Sequence, residues 1–228
     1  MYTDARKQNQ SYHHGNVKEA LIDVAMQMIE ANRPGLLSLR RLAKEVGVTP
    51  SAVYNHFSDK SALMLAIKIR LYEEINQYFE ERVDAAADPE AALLASCLAY
   101  YHFSQQYPAH FHILFSSTLP MDWSTPQTVE TSCRSIVRTR KLVFEIYQKY
   151  QIPCSEEEVV NTTLLIWSQL HGIVALKRSG SIKAAVAYQD WPASCALAQD
   201  KDVERLIGNH VAMTINAISG GQRGENQH

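Results

Sequence analysis

Cysteine is sparse in this 228-residue chain and never clustered. Cys97, Cys133, Cys154 and Cys195 form no CxxC pair, which excludes a zinc finger and a small disulfide scaffold and leaves reduced core thiols as the reading. Charge of one sign is not in excess either. With 22 Lys/Arg against 24 Asp/Glu the net charge is -2, so any affinity for a polyanion must come from a local patch. Nine Gly and eight Pro are too few for collagenous or low-complexity material, and 46% hydrophobic with 20% charged residues is the composition of a folded globular protein. Long hydrophobic runs are also missing. The longest uncharged run, Val159–Leu176, is interrupted by Asn161, Thr162, Thr163, Ser168, Gln169, His171 and Gly172, and reads as a buried helix rather than a membrane span. The opening MYTDARKQNQSYHHGN lacks the apolar stretch and cleavage site of a secretory signal, so a cytoplasmic protein without a membrane partner is expected. No GxGxxG, phosphate loop, GxSxG elbow or HExxH occurs, and His102, His110, His112 and His171 have no Cys cluster or paired ExxH beside them. No catalytic residue, metal site or cofactor is therefore assigned, and an enzyme is not the expectation.

What is present is helical periodicity and local charge. Residues 1–70 hold 10 Lys/Arg against 6 Asp/Glu, whereas residues 71–228 hold 12 against 18, so the N-terminal third is the basic part. Val17, Ala20, Leu21, Val24, Ala25, Met28 and Ile29 recur at the spacing of one helix face. Ser38 is placed to cap a short helix buried through Leu39, Leu42, Ala43 and Val46 and stopped at Gly47. Thr49 caps a third helix, with Pro50 at its first position and Phe57 at its close. A further helix begins after Ser58-Asp59 and runs beyond Phe79, and helical spacing continues over 90–106, 108–115, 127–150, 156–178 and 202–218. The expected fold is all-α: a three-helix helix-turn-helix domain over 1–58, its first 12 residues a flexible arm, then a larger helical domain over 59–228.

The segment SLRRLAKEVGVTPSAVYNHFSDK, residues 38–60, carries most of the functional information. Its second helix is apolar only at Val53 and Phe57, which leaves Thr49, Pro50, Ser51, Ala52, Tyr54, Asn55 and His56 on a wide free face. A helix with so narrow a root suits the major groove, whose width of about 12 Å admits one helix while another braces it. Asn55 suits a base edge or phosphate, Ala52 a thymine methyl, Tyr54 and Lys60 the phosphate backbone, and Arg40 a guanine or phosphate. An ordinary helical hairpin, as in a protein-binding adaptor, is the alternative.

This segment and the helix before it resemble the DNA-binding domain of TetR-family transcriptional regulators, over Tyr12 to Arg70. The resemblance is carried by YHHGN (12–16), LSLRRLAKEVGV (37–48) and YNHFSDKSAL (54–63). It implies that Thr49, Pro50, Ser51, Ala52, Tyr54 and Asn55 lie at a double-stranded operator, that Arg40 supplements base readout, and that Ser38, His56 and Lys60 sit near phosphates. It also implies a sequence-specific regulator, a ligand-responsive repressor bound to a palindrome as a homodimer, with an activator of the same fold as the alternative. A second resemblance lies in IWSQLHGIVAL, 166–176, where Trp167, His171 and Gly172 look like the Trp-His-Gly element of one branch of TetR-like C-terminal domains.

Tyr100 to Trp123 is dense in aromatic and His residues, and Tyr101, His102, Phe111, Phe115 and Trp123, with Trp167 and His171, are candidate walls of a site for a small amphipathic effector. The same residues also fit a packed core with hydrogen-bonded imidazoles. The family fold implies that 156–178 and 202–218 pair with their counterparts in a second chain, and the nearly charge-free face of the first with the apolar stripe Val203, Leu206, Ile207, Val211, Ile215 and Ile218 of the second is the candidate contact. Residues 180–200 admit a short helix and loop closing the body or a cover crossing to the other subunit. The operator sequence, the effector and the controlled genes are not encoded in any pattern found.

Overall fold

The structure is a computed structural model that describes residues 16–31, 37–83, 88–116 and 125–220. Among the described residues the regular structure is entirely helical. Ten α-helices follow one another: α1 Val17–Glu30, α2 Leu39–Val46, α3 Pro50–Tyr54, α4 Lys60–Val83, α5 Pro89–Gln106, α6 Pro108–Ser116, α7 Pro126–Lys149, α8 Glu156–Ser179, α9 Ser181–Tyr188 and α10 Asp200–Gly220, with a 3-10 turn at Ala193–Ala196.

The boundaries follow from cap chemistry. Asn16 accepts a bond from the Glu19 amide at 3.3 Å, Ser38 from the Arg41 amide at 3.2 Å, and Asp59 from the Ala62 amide at 2.9 Å. Four helices, α3, α5, α6 and α7, begin on a proline, where the missing N–H has no partner to lose. At the start of α8, Ser155 and Glu158 close a capping box. The third helix is shorter than its spacing suggests: it stops at Tyr54, and Phe57 reaches the core through a turn in which its amide bonds to the Val53 carbonyl at 2.9 Å. That turn frees Ser58 and Asp59 to start the next helix.

The chain divides into two compact units, residues 1–73 with 107–131 and residues 74–106 with 132–228. In the first, α2 packs on α1 and α3, and α6 packs on α1. Leu21, Ala25 and Ile29 of α1, Leu42 of α2, Val53, Phe57, and Leu63, Ile67 and Leu71 of α4 are all buried. Arg70 of α4 ties back to α1 through Glu19 at 2.8 Å and Asp23 at 3.3 Å. In the second unit α5, α8 and α10 pack mutually, burying Leu93, Tyr101, Phe103, Ile166, Leu170, Val203 and Ile207. The Lys177 ammonium of α8 lies 3.6 Å from Asp200 of α10, so the start of α10 meets the end of α8 and the two run antiparallel. Lys149 at the end of α7 bridges Asp88 (2.7 Å) and Glu90 (2.8 Å) at the start of α5.

Residues 180–200 form a short helix, α9, followed by the 3-10 turn. Gly180 (φ 66°) reverses the chain after α8, and Val186 and Leu197 anchor α9 and the 3-10 turn while Tyr188 stays 87% exposed. The uncharged run within α8, expected to be buried, is buried along one face only. Val159, Ile166 and Leu170 point inward, but Leu164, Leu165 and Leu176 are exposed. By length and composition α8 resembles a membrane span, yet its inner face packs on α5, α9 and α10, as a body helix does.

Candidate nucleic-acid interface

The reading head is built by two caps and one glycine. Ser38 starts α2, Gly47 ends it in the left-handed region at φ 78°, and Thr49 starts α3 by accepting from the Ala52 amide at 3.3 Å. A side chain at Gly47 would meet no neighbour, so its requirement is the backbone angle and not space. Leu39, Leu42 and Ala43 root α2, and Val53 with Phe57 roots the second element.

Everything else on that second element faces solvent. Thr49, Pro50, Ser51, Tyr54, Asn55, His56 and Lys60 are exposed, Ala52 is half-buried, and Ser38 and Arg40 at the start of α2 are exposed as well. The Tyr54 ring is 50% open although it is large and apolar. Ser38 and Thr49 spend an oxygen lone pair on their helix caps, and the Thr49 hydroxyl also lies 3.0 Å from that of Ser51. Arg41 turns toward Glu45 at 3.4 Å on the helix surface. A narrow apolar root under a free polar face with basic flanks is what groove entry demands.

The residues offered for an effector fall into different places. Phe111 and Phe115 of α6 meet with tilted rings at 4.7 Å in the first unit, whereas Tyr101, His102, Trp167 and His171 belong to the second. Trp123 lies outside the described residues. Tyr101 is fully buried and donates its hydroxyl to Asp200 at 2.7 Å, and the His102 Nε2 pairs with Glu204 at 2.8 Å. Both tie α5 to α10.

Trp167 and His171 converge instead on Tyr100. Their rings lie 5.1 Å apart, and the Tyr100 hydroxyl hydrogen-bonds His171 Nδ1 and the Trp167 side chain. An indole N–H only donates, so the Tyr100 oxygen accepts from Trp167 and its proton goes to His171. Burial pushes the Tyr100 hydroxyl up and the His171 imidazole down, which keeps both neutral at pH 7. The Trp-His pair thus completes a hydrogen-bonded link between α5 and α8, with Trp167 still 37% exposed.

The stripe offered for a partner chain is corrected by the same packing. Val203, Ile207 and Val211 are buried against this protomer's own α5 and α8, and Ile215 is half-buried. The exposed face of α10 carries Leu206 of that stripe with Asn209 and Met213. With Leu165, Gln169 and Gly172 of α8 it borders a groove of about 730 Å³ that also takes in the end of α7. No charged side chain occurs between Val159 and Leu176 of α8 or between Leu206 and Gly220 of α10, the one signal in the sequence that marks this face.

Against known families, residues 21–67 match the model described as bacterial regulatory proteins, tetR family, and residues 93–194 match the one described as tetracyclin repressor-like, C-terminal domain. The chain belongs to the TetR family. Together the two matches cover more than half of it and include both the reading head and the α5–α9 region. An uncharacterized HTH-type transcriptional regulator of Mycobacterium tuberculosis is 22% identical over 72% of this chain and 71% of its own length. The nucleoid occlusion factor SlmA of Vibrio cholerae is 29% identical over 56% of this chain and 69% of its own. A protein of unknown function from Rhodococcus sp. RHA1 shares the fold at a TM-score of 0.67 and 23% identity, covering 92% of this chain and 99% of that one. This TetR-family chain is a DNA-binding transcriptional regulator, and regulators of this family bind DNA and dimerise.

Proposed function

We propose that this regulator is a ligand-responsive repressor that reads a palindromic operator as a homodimer, with residues 1–58 as the reading part and 59–228 as the dimerising and sensing part. The observation that carries the reading is the open face of α3 over its two-residue root, Val53 and Phe57. Ser51, Ala52, Tyr54 and Asn55 face the groove with Thr49 and Pro50. Ser38, His56 and Lys60 flank the backbone, and Arg40 adds a base or phosphate contact.

Dimerisation is assigned to the charge-free faces of α8 and α10. Leu165, Leu176, Leu206 and Met213 are exposed there around one groove, and single-chain packing gives no reason for an apolar surface so placed. Gly172 supports this: it sits in the middle of α8, where glycine costs about 1 kcal/mol relative to alanine, and a side chain there would meet nothing in its own protomer. A second helix approaching closely is a reason for it. A two-fold pair would set two reading heads one helical turn of duplex apart, about 34 Å.

The effector is assigned by us to the C-terminal part as a small amphipathic or aromatic molecule. Of the side chains offered for it, the partly open Trp167 retains ring surface after its own bond is made. The resemblance of Trp167, His171 and Gly172 to the Trp-His-Gly branch belongs to this reading. Effector binding shifts the population toward a dimer whose heads no longer match the half-site spacing.

Salt-dependent binding to duplex DNA tests the reading. Affinity falls linearly on a log-log plot with a slope of about -0.9 per phosphate neutralised, so Lys60→Ala in both protomers makes the slope shallower by about 2. An unchanged slope and affinity, together with capture of protein rather than DNA, points to the adaptor alternative.

A further inference from the structure

His210 sits half-way along α10 and lines the groove between α8 and α10. Its Nε2 is buried and has no hydrogen-bond partner among the described residues. The antiparallel course of the two helices, fixed by Lys177 at Asp200, puts His210 beside the middle of α8, among Leu165, Gln169, Leu206 and Met213. An imidazolium here would carry a charge and an additional N–H into an apolar interface.

The surrounding groups supply little to offset that charge. From α7 the groove receives the neutral Tyr147. From α8 it receives Thr162 and Gln169 in the middle, and Glu158 only at the far end, where Ala217 and Ile218 of α10 pass. Glu158 is itself held by Ser155 at 2.7 Å. On α10 the neighbours are Asn209, Met213 and Thr214, and Glu204 is engaged with His102. On the side of α10 facing α5, that helix has no charged residue between Glu90 and His102, only the thiol of Cys97 and the phenols of Tyr100 and Tyr101.

We infer that His210 makes assembly of this regulator pH-dependent: the dimer accepts the neutral imidazole and excludes the protonated one. The inference rests on the assignment of this groove to the dimer interface. Desolvation already holds the His210 imidazole below its ordinary value in the single chain, and a second chain removes more water. The sign follows from linkage. The dissociated chain binds the proton more readily than the dimer, so dimerisation is complete above the free chain's own value, which burial holds below that of an ordinary imidazole, and is lost as pH falls through it. Two histidines titrate per dimer, so acidification from pH 7.5 to 5.5 raises the dissociation constant, by up to about 100-fold for each pH unit below the free-chain value.

Sedimentation equilibrium of the full chain at both pH values, with His210→Gln alongside and circular dichroism to follow helix content, tests this. The expected result is a wild-type dimer at pH 7.5 that becomes a folded monomer at pH 5.5, while His210→Gln remains dimeric at both. A wild-type monomer at pH 7.5 overturns the dimer reading and the inference with it. A wild-type dimer whose dissociation constant is the same at both pH values overturns the His210 inference alone. So does an equal loss of dimer in wild type and His210→Gln, or loss of helix in place of dissociation.

Discussion

Replacing Leu165 by Asp separates the two faces of α8 most sharply. Its side chain is 62% exposed in the protomer, so the protomer has little burial to lose and its own stability should change by less than about 1 kcal/mol. In a two-fold dimer the same position is covered twice. A fully buried Leu contributes about 1.5–3 kcal/mol relative to an exposed one, and roughly the exposed fraction of that is at stake in each protomer. The loss is therefore about 2–4 kcal/mol per dimer, or about 30- to 1,000-fold in the dissociation constant, before any penalty for a desolvated carboxylate. Sedimentation equilibrium gives the dissociation constant, and urea unfolding at concentrations below it gives the stability of the chain. Ile207→Ala is the contrasting variant: being fully buried inside the protomer, it should cost about 2–5 kcal/mol in the unfolding experiment. A dimer that survives Leu165→Asp unchanged, or unfolding of the protomer by it, refutes the assignment of that face to a partner.

Three further outcomes follow from the geometry. Tyr54→Ala should weaken binding to all duplexes alike, whereas Asn55→Ala or Arg40→Ala should relax preference at one base position by about 1–3 kcal/mol, as read from competition against a panel of operator variants. Tyr100→Phe removes the acceptor for Trp167 and the donor for His171. Unfolding stability should drop by about 1–3 kcal/mol, and a drop no larger than that of an exposed substitution would count against the link. The cluster of Lys149 with Asp88 and Glu90 gives a pH test. Hydrogen bonds from Lys149 hold both carboxyls below their usual range and hold Lys149 above its own. The stability they add is present from about pH 5 to 10 and lost as the carboxylates protonate in acid. The difference in Tm between wild type and Lys149→Met should thus be constant over that window and shrink below pH 4; a difference that grows in acid would reverse the assigned cause.

The reading head was legible in the sequence because its determinants are local. Ser38, Gly47 and Thr49-Pro50 set two helices and the turn between them within a dozen residues, and Val53 with Phe57 leaves the rest of α3 outward by periodicity alone. The face proposed for a partner was not legible in the same way. Val203, Ile207 and Val211 make the more strongly apolar stripe of α10, and periodicity alone cannot tell a stripe that faces its own chain from one that faces another. The absence of charge on the second stripe, with Leu206, Asn209 and Met213, is a weaker sign, since Asn209 interrupts it. The aromatic cluster behaved similarly. Tyr101 and His102 look alike beside Phe111 and Phe115 in the sequence, but their partners are Asp200 and Glu204, about a hundred residues away. No pattern within a helix encodes such a long-range bond. For Trp167 and His171 the i, i+4 spacing did place both rings on one face, yet Tyr100, which joins them, comes from another helix.

Selection of bound duplexes from a random library by the purified protein, with Tyr54→Ala and Lys60→Ala as controls, tests the central claim most directly. The account predicts enrichment of a palindrome whose half-sites lie about one helical turn apart, lost in both variants. Enrichment of no sequence by the wild-type protein at low salt, or of the same sequence by Tyr54→Ala and Lys60→Ala with unchanged affinity, would contradict it.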